Sequence, residues 1–87
     1  MSAMDNIRRS YPVGTILPIS EWRPWWESVL ELSATETGWI DDMPSPHVAW
    51  AVLLDRGRTR PDGTQTKVWY LYKTKIECEA ARLQEVI

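Results

Sequence analysis

The chain has 87 residues, 44% of them hydrophobic and 25% charged, and a net charge of −2. These values fit one globular domain and count against wholesale disorder, and the charge argues neither for a general polyanion binder nor for a membrane-surface protein. A single cysteine, Cys78, excludes an internal disulfide and points to a reducing cytoplasm, because small secreted chains usually carry several bridges.

Residues 1–10 read as a flexible tail ahead of a single domain over 11–87. The tail holds Asp5, Arg8 and Arg9 and no apolar segment, so it does not read as a signal peptide. Tyr11 to Ile19 contains Pro12, Gly14 and Pro18, which suits an extended segment lying on the body. Six tryptophans and no phenylalanine follow an uneven pattern, with three crowded into Trp22-Arg23-Pro24-Trp25-Trp26. Over 24–32, Trp25, Trp26, Val29 and Leu30 alternate with Glu27, Ser28 and Glu31 at helical spacing. Pro24 suits a first helical position, so a short amphipathic helix is predicted. Leu30 to Ala34 alternates nearly as well as a strand ending at a Thr37-Gly38 turn, after which Trp39-Ile40 could pair with a sheet edge. Two prolines make Asp41 to Pro46 a loop.

Val48 to Leu54 and Val68 to Tyr72 are continuous apolar runs, short enough to be strands buried on both faces. Neither approaches the ~20 residues that a membrane helix needs. Between them, Arg60-Pro61-Asp62-Gly63-Thr64 carries turn chemistry, and a turn centred there opposes Leu54 to Tyr70 and Val52 to Tyr72. Thr74 and Glu77 form a capping box, in which the Thr74 hydroxyl accepts from the Glu77 amide and the Glu77 carboxylate reaches back to the Thr74 amide. Ile76, Ala80, Leu83 and Ile87 then mark an apolar stripe expected to face the hairpin. The fold class predicted is α+β. It is a small antiparallel sheet of two to four strands built on a 48–73 hairpin, covered by a C-terminal helix over 75–86, with a short helix near 24–32.

Two features suggest a binding surface. Three indoles are hard to bury together in so small a body, and tryptophan and arginine dominate binding hot spots, so Trp22, Arg23, Trp25 and Trp26 form one candidate. The opposing reading is an aromatic staple that closes the core. Arg56, Arg58 and Arg60 share one strand face at period two and would form a basic finger able to grip carboxylate or phosphate. A charged hairpin that resists edge-to-edge aggregation explains them equally well. Residues 1–46 sum to −4 and residues 47–87 to +2, which could orient a partner or drive self-association.

Catalytic chemistry is not legible. His47 and Cys78 are single copies with no spacing that joins them, and Asp41, Asp42 and His47 match no metal motif. No catalytic residue, metal or cofactor is assigned. The function expected is a non-enzymatic protein–protein interaction module, an inhibitor or regulator of the kind phages and mobile elements carry, with an unidentified protein partner. The alternative is single-stranded nucleic-acid binding, with Trp69, Tyr70 and Tyr72 stacking on bases beside the basic hairpin. Sugar stacking on exposed indoles is a third reading. A homodimer is compatible with an exposed sheet edge, and no membrane association is expected.

Overall fold

A computed structural model describes residues 9–40, 47–55, 61 and 67–86. Its elements in chain order are β1 (Ile16–Pro18), α1 (Ile19–Ser28), the single-turn α2 (Ala34–Thr37), β2 (Trp39–Ile40), β3 (Trp50–Leu54), β4 (Val68–Tyr72) and α3 (Lys75–Val86). The strands form one sheet in the order β1-β3-β4-β2. The α+β class therefore holds, but the sheet is mixed rather than antiparallel. β1 pairs antiparallel with β3, which fills that edge of the hairpin and leaves β2 to run parallel to β4 on the other.

The hairpin forms with a register two residues from the one expected. Leu54 faces Val68, Val52 faces Tyr70 and Trp50 faces Tyr72. Alternation fixes which side chains share a face, and a shift of two preserves that. The observed register pairs all five residues of β3 with the five apolar residues of β4. The expected one would have set Ala51 and Trp50 against Lys73 and Thr74.

Strand alternation divides the core into two layers. On one face Ala51, Leu53 and Trp69 pack against Trp22, Trp25 and Val29, and all six are buried. On the other, Val52 and Leu54 pack against Cys78 and Ala81, with Ile16, Trp50, Tyr70 and Tyr72 partly buried around them. The sheet is thus sandwiched between α1 and α3, and the continuous apolar runs of β3 and β4 reflect burial from both sides.

Residues 12–15 turn the chain into β1. The Thr15 amide donates to the Pro12 carbonyl at 3.2 Å, and Gly14 takes the positive φ of +97° that the third position of a type II-like turn requires. α1 begins five residues before Pro24, so the proline lies inside the helix rather than at its start. An interior proline costs about 3 kcal/mol. The helix persists because Trp22, Trp25, Trp26 and Val29 recur at three, four and seven residues and place their bulk on one apolar core. It ends where the Ser28 hydroxyl donates to the Trp25 carbonyl at 2.6 Å. The alternative strand over 30–34 does not form; residues 29–33 turn the chain into α2.

α3 carries its capping box in a modified form. The Glu77 amide donates to Thr74 Oγ1 at 3.2 Å, while the hydroxyl itself donates to Glu77 Oε1 at 3.0 Å, in place of the Thr74 amide. The helix orientation reverses expectation. Ile76 is 76% exposed and Leu83 65%, Ala80 is exposed too, and α3 meets the sheet through Cys78 and Ala81. The reason lies in the sheet, whose α3 face already carries the rings of Trp50, Tyr70 and Tyr72. Small helix residues opposite large sheet residues fill the layer without strain. Arg82 holds this orientation at one end, its Nη1 donating to the Gly14 carbonyl at 3.2 Å. At the other end the Lys75 ammonium lies 5.6 Å from the Trp50 ring centroid.

This orientation has a direct test by urea denaturation. Ile76→Ser and Leu83→Gln are expected to change stability by no more than about 0.5 kcal/mol, as exposed positions do. Ala81→Leu, which overfills the layer, is expected to cost about 1–3 kcal/mol. The opposite ranking would place the bulky stripe inward.

Candidate functional site

The aromatic residues are distributed by the sandwich rather than by sequence crowding. Trp69 is the hub of the α1 layer, with ring centroids of Trp25, Trp22 and Tyr11 at 5.5, 6.0 and 6.0 Å. Its indole N–H donates to the Thr37 carbonyl at 2.9 Å. Trp22 is fully buried and stacks on Trp26 at 5.3 Å and 15°. Its own N–H meets no acceptor among the described residues, a penalty of about 1–3 kcal/mol that its packing must exceed. Trp25 is buried, in edge contact with Tyr11 at 4.9 Å.

The four residues proposed as a surface cluster therefore differ in exposure, although the rings of Trp22 and Trp25 both meet that of Trp26. Trp22 and Trp25 belong to the core and present no ring to a partner as folded. Arg23 is exposed on the outer side of α1, and Trp26 is half-buried at its end. Arg56, Arg58 and Arg60 lie outside the described residues, as do 1–8, the loop expected over 41–46 and Ile87. Arg9, at the end of the proposed tail, is described: its Nε lies 3.3 Å from Glu36 Oε2.

Where α1 ends, the chain turns through α2 and returns along β2, and the space between these segments is an apolar cleft of about 200 Å³. Trp26, Val29 and Leu30 form one wall, Leu32 and Ala34 the end, and Thr37 to Ile40 the other wall. Leu30 is 63% and Trp39 41% exposed, the two largest outward apolar groups of this end of the molecule. Gly38 makes the return possible. It ends α2 with its amide donating to the Ala34 carbonyl at 2.8 Å, and its φ of +95° favours glycine. The strand then begins at once, the Trp39 amide donating to the Lys67 carbonyl at 2.7 Å.

The chemistry of the cleft is restricted. None of the lining residues is ionisable, and the Thr37 hydroxyl is directed to the Ser33 and Gly38 carbonyls at 3.3 and 3.4 Å. Small-molecule sites usually span roughly 300–1,000 Å³ and converge several polar groups. This space is smaller and matches one or two apolar side chains. Elsewhere, Cys78 is buried under α3, and burial, followed by the nearby charges of Glu77 and Glu79, pushes its thiol up to about 11. It is a protonated filler at neutral pH rather than a nucleophile. Among the described residues no group of three or more His, Cys, Asp or Glu side chains could hold a metal ion. No described helix is long and apolar enough to cross a membrane.

Sequence reasoning noted Leu30 and Trp39 only as a helix position and an edge residue. What joins them is the one-turn helix between them, and Gly38 directly before Trp39 was the available signal. The structure defines a small three-layer α+β domain with an apolar cleft at one end. Comparison with protein-family models, curated proteins and solved structures gives no significant match.

Proposed function

We propose that this chain is a non-enzymatic protein-binding module, of the inhibitor or regulator type, that takes an apolar side chain of its partner into the cleft beside Trp26, Leu30 and Trp39. The observation that carries this reading is the cleft itself, lined by apolar side chains apart from Thr37 and flanked by two large exposed apolar residues. Exposed apolar groups grouped about a concavity are a feature of partner sites, because filling it removes both surfaces from water. The buried free thiol of Cys78 supports a reducing cytoplasm as the working compartment.

Base stacking has less support. Trp69 is fully buried, and Tyr70 and Tyr72 lie partly buried in the α3 layer, so these rings offer little face to a nucleotide.

Photo-crosslinking tests the reading. A photoreactive residue placed at position 30 or 39 is expected to capture a partner that one placed at position 83, on the opposite layer, does not. Leu30→Asp is expected to weaken that capture at least ~10-fold, the loss typical of a hot spot, with unchanged circular dichroism. Full binding by the folded Leu30→Asp protein would remove the cleft from the interface.

A further inference from the structure

The chain that builds the cleft has an unusual charge content. From Trp26 to Ile40, which together supply every wall, it contains Glu27, Glu31 and Glu36 and no lysine, arginine or histidine. Asp41 and Asp42 follow directly in sequence. Glu27 and Glu31 are exposed, three residues before and one after the protruding Leu30. Glu36 has a local counter-charge in Arg9, and the Lys67 ammonium donates to the Glu36 carbonyl at 3.1 Å. Among the described residues no cation lies in an ion pair with Glu27 or Glu31. Glu27 on α1 and Glu31 in the turn that follows it are thus next in sequence to the lining residues Trp26, Leu30 and Leu32, and neither has an ion-pair partner among the described residues.

From this we infer that the partner segment is basic: one large apolar anchor, flanked by lysine or arginine, with the anchor in the cleft and the cations over Glu27 and Glu31. The inference rests on the protein-binding reading of the cleft and names the chemistry of what enters it. An acidic or neutral segment would fill the cleft equally well by area but would meet uncompensated like charge or none at the rim. Complementary rim charge sets encounter rate and partner choice more than total affinity. A second copy offering this same surface would bring Glu27 and Glu31 toward their own counterparts, which disfavours a symmetric pair.

The test uses the full chain and three short blocked peptides: one leucine among lysines, one leucine among glutamates, and the lysine peptide with its leucine replaced by serine. Binding is followed by the tryptophan indole N–H signals in NMR titration. The lysine–leucine peptide is expected to shift Trp26 and Trp39 and leave Trp50, in the opposite layer, unmoved. Its affinity should exceed that of the glutamate peptide by about tenfold at low salt, and the gap should narrow as salt screens the rim. Combining Glu27→Lys with Glu31→Lys should reverse the preference.

Equal shifts from the lysine and glutamate peptides would overturn the basic partner while leaving the cleft as a protein site. Binding of the serine peptide as tightly as the leucine one would overturn both. Concentration-dependent dimerisation of the protein alone, abolished by Leu30→Asp, would make a second copy the occupant and overturn the inference.

Discussion

Trp69→Ala is expected to remove most of the stability of this domain. Trp69 has no exposed surface, contacts three aromatic rings and sits in the interior strand β4 between β3 and β2. Truncating a buried tryptophan to alanine costs about 3–5 kcal/mol, because a layer this crowded can collapse only partly into the void. A domain of this length has roughly 5–10 kcal/mol in total, so urea unfolding monitored by far-ultraviolet circular dichroism should show a midpoint lowered by around half. Trp69→Phe separates the two parts of the effect. It retains most of the ring but leaves the buried Thr37 carbonyl without its donor, at about 1–2 kcal/mol. Trp39→Ala, at an exposed edge, should cost less than about 1 kcal/mol. If the Trp39 variant proved the less stable of the two alanine proteins, the assignment of core and surface tryptophans would be reversed.

That contrast marks where the sequence was informative. The hairpin strands and α3 were legible because continuous apolar runs and a Thr–Glu box have few structural solutions. Of the two readings of the tryptophan cluster, the core-closing staple describes Trp22 and Trp25, for an architectural reason. With one helix expected to cover the sheet, three indoles on another segment had nowhere to go and were read as surplus. Once α1 covers the second sheet face, Trp22 and Trp25 become the lid over Trp69, and only Trp26 reaches the cleft. Periodicity had the spacing right and could not supply the second face.

α3 illustrates a different limit. Ile76, Ala80 and Leu83 recur at helical spacing, but so do Cys78 and Ala81 on the opposite side. Hydrophobicity favours the first set as the buried one. The space left by Trp50, Tyr70 and Tyr72 favours the second, and that volume is known only once the strands are paired. The cleft was the least legible feature, since Leu30 and Trp39 come together only through the turn of α2, a helix too short to leave a periodic signature. Arg56, Arg58 and Arg60 lie outside the described residues, whereas Glu27, Glu31 and Glu36 lie along the chain of 26–40 that forms the cleft.

The second large effect is expected at Gly38, where backbone and packing act together. A Cβ added there would lie 3.0 Å from Trp69 Nε1 and 3.1 Å from both Trp69 Cδ1 and Leu53 Cδ1. Neither neighbour can readily withdraw, because Leu53 and Trp69 are buried and face each other across the β3–β4 ladder. The backbone at φ +95° adds about 1–2 kcal/mol for any residue with a Cβ, and the overpacking about 1–3 kcal/mol. Gly38→Ala should therefore destabilise by about 2–4 kcal/mol in urea denaturation. Gly14→Ala is the matched control. Its φ of +97° is nearly the same, yet its nearest neighbour is the flexible Arg82 side chain at 3.6 Å, so only the backbone part applies. The difference between the two variants measures the steric part alone, and equal losses would show that Trp69 gives way. In that case the indole signal of Trp39, the next residue and a wall of the cleft, should shift as well, tying the stability of the core to the shape of the proposed binding site.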